Sequence, residues 1–180
     1  MLKTFALGAT LALTLANTAF AGEQYVDETG YAASGYDVVA YWSLDQSAVG
    51  TAQPQAVRGN AAYTYDWNGA TWAFSTPENR DLFAASPEQY APQFDGHCAY
   101  GIAQGGKVPA NPNLWRIVDD KLYLNITPNV VGFWEEDIPG QITSAGTNWG
   151  TLESKPASER KWTAINANDG TYPGPAPITN

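Results

Sequence analysis

Cysteine, histidine and methionine are almost missing from this chain, which carries one of each in 180 residues. A single cysteine cannot close an internal disulfide, so stability has to come from packing. One cysteine and one histidine also leave soft-metal binding and thiol chemistry a single address, because both need a thiolate or an imidazole. The only methionine is Met1, so a processed chain has no thioether to offer copper. Charge is sparse at 15% of residues, and nine Lys and Arg face eighteen Asp and Glu. Such a surface repels nucleic acid and anionic lipid, and both are excluded as partners. No apolar run approaches about 18 residues, so no stable membrane insertion is expected. No nucleotide cofactor is expected either.

What is present begins with an export signal. Met1-Leu2-Lys3 is a short basic start, an apolar run from Phe5 to Leu15 follows, and Ala19-Phe20-Ala21 is an A-x-A cleavage site before Gly22. Residues 1–21 are therefore expected to be removed, giving a periplasmic or secreted protein. With Lys3 gone, eight basic side chains remain against eighteen acidic ones, a net charge of −10. About 159 residues are left, the size of one domain. Seven Trp and ten Tyr supply the bulk for its core.

Along that domain, residues 22–34 read as an entry arm, and Gly35 to Trp42 as a first strand or a tight buried segment. Alternating aromatics flank Asn68-Gly69, which predicts a hairpin over 62–74. Thr76-Pro77-Glu78 and Ser86-Pro87-Glu88 each open a short helix, with Leu82, Phe83 and Tyr90 as core anchors. Ala99 to Gln104 forms another, stopped by Gly105-Gly106. A second hairpin joins residues 114–118 and 121–125 through Asp119-Asp120, and Thr127-Pro128 starts a further helix. A last one, weakened by Gly140 and Gly146, covers Ile138 to Trp149. From residue 153 onward a Pro- and Gly-rich tail wraps or dangles, with Trp162 as its one large anchor. The predicted class is α+β: a small twisted antiparallel sheet built from two hairpins, with short helices packed around it.

The segment Trp72-Ala73-Phe74-Ser75-Thr76-Pro77-Glu78-Asn79-Arg80-Asp81-Leu82-Phe83, followed by Ser86-Pro87-Glu88-Gln89-Tyr90, resembles the YHS domain. Gly35-Tyr36-Asp37-Val38-Val39-Ala40-Tyr41, Phe94-Asp95-Gly96-His97-Cys98-Ala99, Trp115-Arg116-Ile117-Val118 and Lys121-Leu122-Tyr123-Leu124-Asn125 are similar to its longer exported branch. The resemblance covers about residues 31 to 152, within a YHS-type domain taken as 22–152. It implies a metal module, yet the cysteine positions of the parent domain hold Ala40, Ser75 or its neighbour, and Asn79, and its usual histidine is Ala73. A multi-cysteine site is therefore ruled out by the sequence. What the exported branch implies in its place is a reactive chalcogen at the position of Cys98; the preceding residue is more often Tyr there, so His97 belongs to this chain alone.

Three functions compete at Asp95-Gly96-His97-Cys98-Ala99-Tyr100. The first is soft-metal binding through Cys98 and His97, copper before zinc, with Tyr36, Asp37, Asp95 and Tyr100 as oxygen neighbours. Two ligands fall short of a structural zinc site, and a homodimer would supply four. The second is thiol redox or nucleophilic chemistry at Cys98, favoured by a helix N-terminus but lacking a resolving cysteine, a third catalytic residue and an oxyanion hole. No catalytic residue is assigned, and the balance leans away from an enzyme. The third is a non-catalytic small-molecule pocket walled by Tyr41, Trp42, Trp72, Trp115 and Tyr123, with Cys98 at its edge. Metal binding is the leading expectation.

Overall fold

A computed structural model describes residues 22–160. The predicted export signal and Trp162 lie outside the described residues. Two hairpins dominate. In the first, β1 (Asn60–Trp67) pairs with β2 (Ala70–Phe74), with Trp67 opposite Ala70 and Tyr65 opposite Trp72. In the second, β3 (Asn111–Val118) pairs with β4 (Lys121–Asn125), with Val118 opposite Lys121 and Trp115 opposite Leu124. Both turns have two central residues at positive φ: Asn68 at 49° and Gly69 at 75°, Asp119 at 49° and Asp120 at 56°. That conformation matches the twist of the paired strands, and Asn, Asp and Gly tolerate it best.

The α+β class is as expected, with short helices around antiparallel hairpins. The hairpins form two separate two-stranded sheets instead of sharing one. Each long strand carries a register break, between Asn60 and Thr64 and between Asn111 and Trp115. A bulge bends the strand and interrupts the ladder that a continuous sheet would need. The hairpins meet through side chains instead, in one core that includes Tyr36, Tyr41, Trp72, Phe74, Phe83, Cys98, Trp115, Leu122 and Leu124.

After each hairpin a helix begins at Thr-Pro. Thr76 caps α1 (Pro77–Ala85) by accepting from the Asn79 amide, and Thr127 caps α4 (Pro128–Glu135) by accepting from the Val130 amide. Each cap contributes about 1 kcal/mol. Phe83 of α1 is fully buried, with its ring 5.0 Å from those of Trp72 and Phe74. Leu82, expected as a core anchor, is 49% exposed, because its neighbour on the helix already faces the core. The remaining helices are α2 (Pro87–Tyr90), α3 (Ala99–Ala103) and α5 (Ile138–Leu152), the last packing Ala145 and Leu152 on Ile102 and Ala103.

The order of local structures runs twice. Ala33, Ser34 and Gly35 have φ of 48°, 52° and 75°; Phe94, Asp95 and Gly96 have 58°, 53° and 77°. After the first turn comes a tight helical segment, Ala40–Ser43, then β1 and β2, then α1; after the second comes α3, then β3 and β4, then α4. The amide of Asp37 donates to Val57 O, and that of Cys98 donates to Val108 O. Gly35-Tyr36-Asp37 and Gly96-His97-Cys98 are thus positional counterparts. Residues 35–42, expected as a first strand or a tight buried segment, are the second of these, buried from Gly35 to Tyr41 and turning helically at Ala40–Ser43.

Residues 153–160 wrap back over the start of the described chain. The Ala157 amide donates to Glu23 Oε2, and Tyr25 Oη donates to Arg160 O. Lys107 Nζ donates to the carbonyls of Glu153 and Lys155 and lies 5.1 Å from the Trp149 ring centroid.

Candidate functional site

Cys98 is the N-cap residue of α3, where the sequence places it, but it has no exposed surface. Its Sγ accepts from the Gly101 amide at 3.4 Å and donates to Asn125 Oδ1 at 3.5 Å, while the same oxygen accepts from the Tyr100 amide at 3.1 Å. Burial pushes the thiol up to about 11, against the smaller opposing pull of the Gly101 amide. At neutral pH Cys98 is therefore a thiol. Ellman's reagent at pH 8 should react with the native protein at least about a hundred times more slowly than with the unfolded chain. Native reaction at the unfolded rate would show the sulfur to be open to solvent.

His97 is also fully buried, and its ring turns to other partners. Nδ1 donates to Phe94 O at 3.0 Å, which fixes the tautomer with the proton on Nδ1. Nε2 accepts from the Ser158 amide at 3.1 Å, and Tyr25 packs against the ring at 5.6 Å. Burial lowers its pKa to about 4, so the ring is neutral at pH 7. Both nitrogens are engaged, and among the described residues the two side chains share no hydrogen-bond partner.

The expected oxygen neighbours scatter. Asp37 is fully buried and accepts from five donors: the amides of Val39, Ala40 and Ser75, Ser75 Oγ and Asn79 Nδ2. Tyr36 Oη accepts from Asn113 Nδ2, Tyr100 stacks near Phe133 at 6.0 Å, and Asp95 Oδ1 accepts from Gln24 Nε2. Among the described residues no three His, Cys, Asp or Glu side chains are placed to hold a metal ion. A protonated buried thiol and an imidazole with both nitrogens engaged do not fit copper or zinc as they stand.

A cavity of about 260 Å³ has Asn125 in its wall. It is bounded by β3, β4, α4 and the loop over 50–53, and its walls include Trp115, Arg116, Asn125, Val131, Gly132, Trp134 and Glu135. Arg116 and Glu135 form a buried ion pair there, each side chain 6% exposed. Arg116 Nε donates to Glu135 Oε1, and Nη1 donates to Ser47 O, while Glu135 Oε2 accepts from the Gly50 amide. The pair thereby ties the loop and helix to the hairpin. Of the aromatics proposed for a pocket wall, Trp115 lines this cavity; Tyr41, Trp42, Trp72 and Tyr123 do not. Tyr41 and Trp72 are core, and Tyr123 packs on Trp134.

Arg116, Glu135 and Asn125 were not singled out from the sequence. One signal was available: an arginine inside the apolar strand Leu114-Trp115-Arg116-Ile117-Val118 of a chain poor in basic residues needs a buried acid. Its partner lies nineteen positions away in the chain, beyond the reach of any local pattern.

No family model, curated protein or solved structure matches this chain. No helix among the described residues is long and apolar enough to cross a membrane.

Proposed function

We propose that the protein is a non-catalytic small-molecule-binding domain, and that its site is the cavity between the second hairpin and α4. The observation that carries this reading is a largely apolar cavity of about 260 Å³ walled by two Trp side chains and a charge-balanced Arg116–Glu135 pair. Specific pockets combine apolar walls with a few fixed polar groups, usually at about 300–1,000 Å³. This one is slightly smaller, which suits a ligand of one or two rings. Its paired charges favour a neutral occupant, since a charged one would compete with a pair already held in low dielectric.

Soft-metal binding at Cys98, implied by the YHS resemblance, is the competing reading; it requires the core around Cys98 to open. The YHS kinship itself and export to the periplasm or outside rest on the sequence motifs and are proposed with it. Gly132 has open space where a Cβ would stand and lines the cavity from α4. Gly132 is exposed, so Gly132→Leu should add bulk at the edge of the site and obstruct it without a clash in the helix. Indole is expected to bind the native protein saturably, read by ligand-observed NMR, and to lose that binding in Gly132→Leu. Equal binding to both would sink the cavity reading; Cu(I) uptake at micromolar free metal that disappears in Cys98→Ser would install the metal reading.

A further inference from the structure

Gly22 is buried, and nothing larger than glycine fits its place. A Cβ there would stand 2.2 Å from Asp95 Oδ2 and 2.6 Å from the Glu153 carbonyl oxygen. Because N and Cβ of one residue are about 2.5 Å apart, the Gly22 nitrogen lies within about 5 Å of that carboxylate oxygen. Asp95 Oδ2 is buried and has no hydrogen-bond partner among the described residues. Gln24, itself 6% exposed, donates through Nε2 to Asp95 Oδ1 at 2.7 Å, yet its own Oε1 is also buried and has no partner among the described residues. Buried acceptors without donors are rare, and two on a pair of hydrogen-bonded side chains call for a cause. Lys107 is the nearby cation, but its Nζ donates to the carbonyls of Glu153 and Lys155. Burial raises the Asp95 carboxyl above its ordinary value; Lys107 lowers it and Glu153 raises it again. An ammonium at hydrogen-bond distance would favour the charged carboxylate.

We propose that the partner of Asp95 is the protein's own mature N-terminus: the α-ammonium of Gly22, freed by cleavage after Ala21, docks on Asp95 Oδ2 and shares its other hydrogens with Gln24 Oε1 and the Glu153 carbonyl. Hydrolysis adds one water across the Ala21–Gly22 bond; Ala21 departs with the carboxylate, and Gly22 keeps the nitrogen, which is protonated at neutral pH. A peptide amide offers one hydrogen and no charge, whereas the ammonium offers three hydrogens and a full charge to three acceptors. Processing thus completes the clasp between the entry arm and residues 153–160, where Glu23 already holds Ala157 and His97 holds Ser158. The inference stands apart from the cavity.

The test compares the exported protein with a chain that keeps Ala21 as its first residue, each with and without Asp95→Asn. N-terminal sequencing should give Gly22. The chain beginning at Ala21 should melt about 3 °C or more lower, and Asp95→Asn should abolish that difference. The α-amine of the native Gly22 chain should be acylated at pH 7.5 at least about tenfold more slowly than that of a peptide of residues 22–28, a comparison that does not require any variant to fold. A start at another residue, equal melting of the two chains, or an α-amine as reactive as the peptide's would overturn the proposal.

Discussion

Asp37→Ala should melt about 10 °C below the native protein, corresponding to a loss of about 3–5 kcal/mol. The carboxylate is fully buried and collects five hydrogen bonds, the shortest side-chain ones being 2.6 Å from Ser75 Oγ and 2.7 Å from Asn79 Nδ2. Through them it joins the first turn, the end of β2 and the first turn of α1. Hydrogen bonds to a charged group contribute more than neutral ones, and alanine would leave several buried donors without acceptors. Asp37→Asn separates shape from charge: it keeps one acceptor oxygen but places an NH2 group against donors, so it should recover only part of the loss. Circular-dichroism melting of the three chains decides the matter, and a drop under about 2 °C in Asp37→Ala would show that the knot is not a determinant of stability.

The second large effect is a decline in stability on acidification, and it comes from His97. In the unfolded chain this histidine titrates near 6.5; in the fold burial lowers it to about 4. Between those values the unfolded state binds more protons than the folded one, so stability rises with pH through this window. The contribution is complete above about pH 6.5 and is lost as pH falls toward 4, amounting to roughly 3 kcal/mol at most. Protonation would place a hydrogen on Nε2, facing the Ser158 amide that now donates to it. Burial taken alone gives Asp95 the opposite sense, a contribution present at low pH and lost as pH rises through the folded value, and the Gly22 ammonium proposed above works against that shift. Urea unfolding of the native chain and His97→Gln at pH 7 and pH 4.5 isolates the histidine. Glutamine should flatten most of the decline; an equally steep decline in both would assign it to the carboxylates.

The elements whose cause is local were legible in the residues. Asn68-Gly69 announced a turn that both residues enter at positive φ, and Thr76-Pro77 and Thr127-Pro128 marked helix starts that the structure caps through the same hydroxyls. Cys98 likewise stands at the start of α3 as its neighbours dictated. What local pattern could not carry was the direction and depth of its side chain. Cys98 and His97 look alike as a rare adjacent pair, but one sulfur is drawn toward Asn125 on β4 and one ring toward Ser158 beyond α5. Those partners lie 27 and 61 positions away. Arg116 and Glu135 escaped for the same reason. The recurring order of elements was hidden because the matching positions differ chemically: acid at Asp37, thiol at Cys98, each beneath its own glycine-ended turn.

The clasp of residues 153–160 on the entry arm also fixes an order of events. Hairpins closed by two-residue turns form within microseconds, and both have their turns and strands within short stretches of chain. The contacts from Glu23 to Ala157 and from Tyr25 to Arg160 join positions 134 and 135 residues apart. A chain emerging from its N-terminus can complete both hairpins and most of its aromatic core while Gln24 and Tyr25 are held through Asp95. The outer clasp on Glu23 and Tyr25 closes only when the last part of the domain has emerged, so the entry arm receives its final contacts after the rest is built.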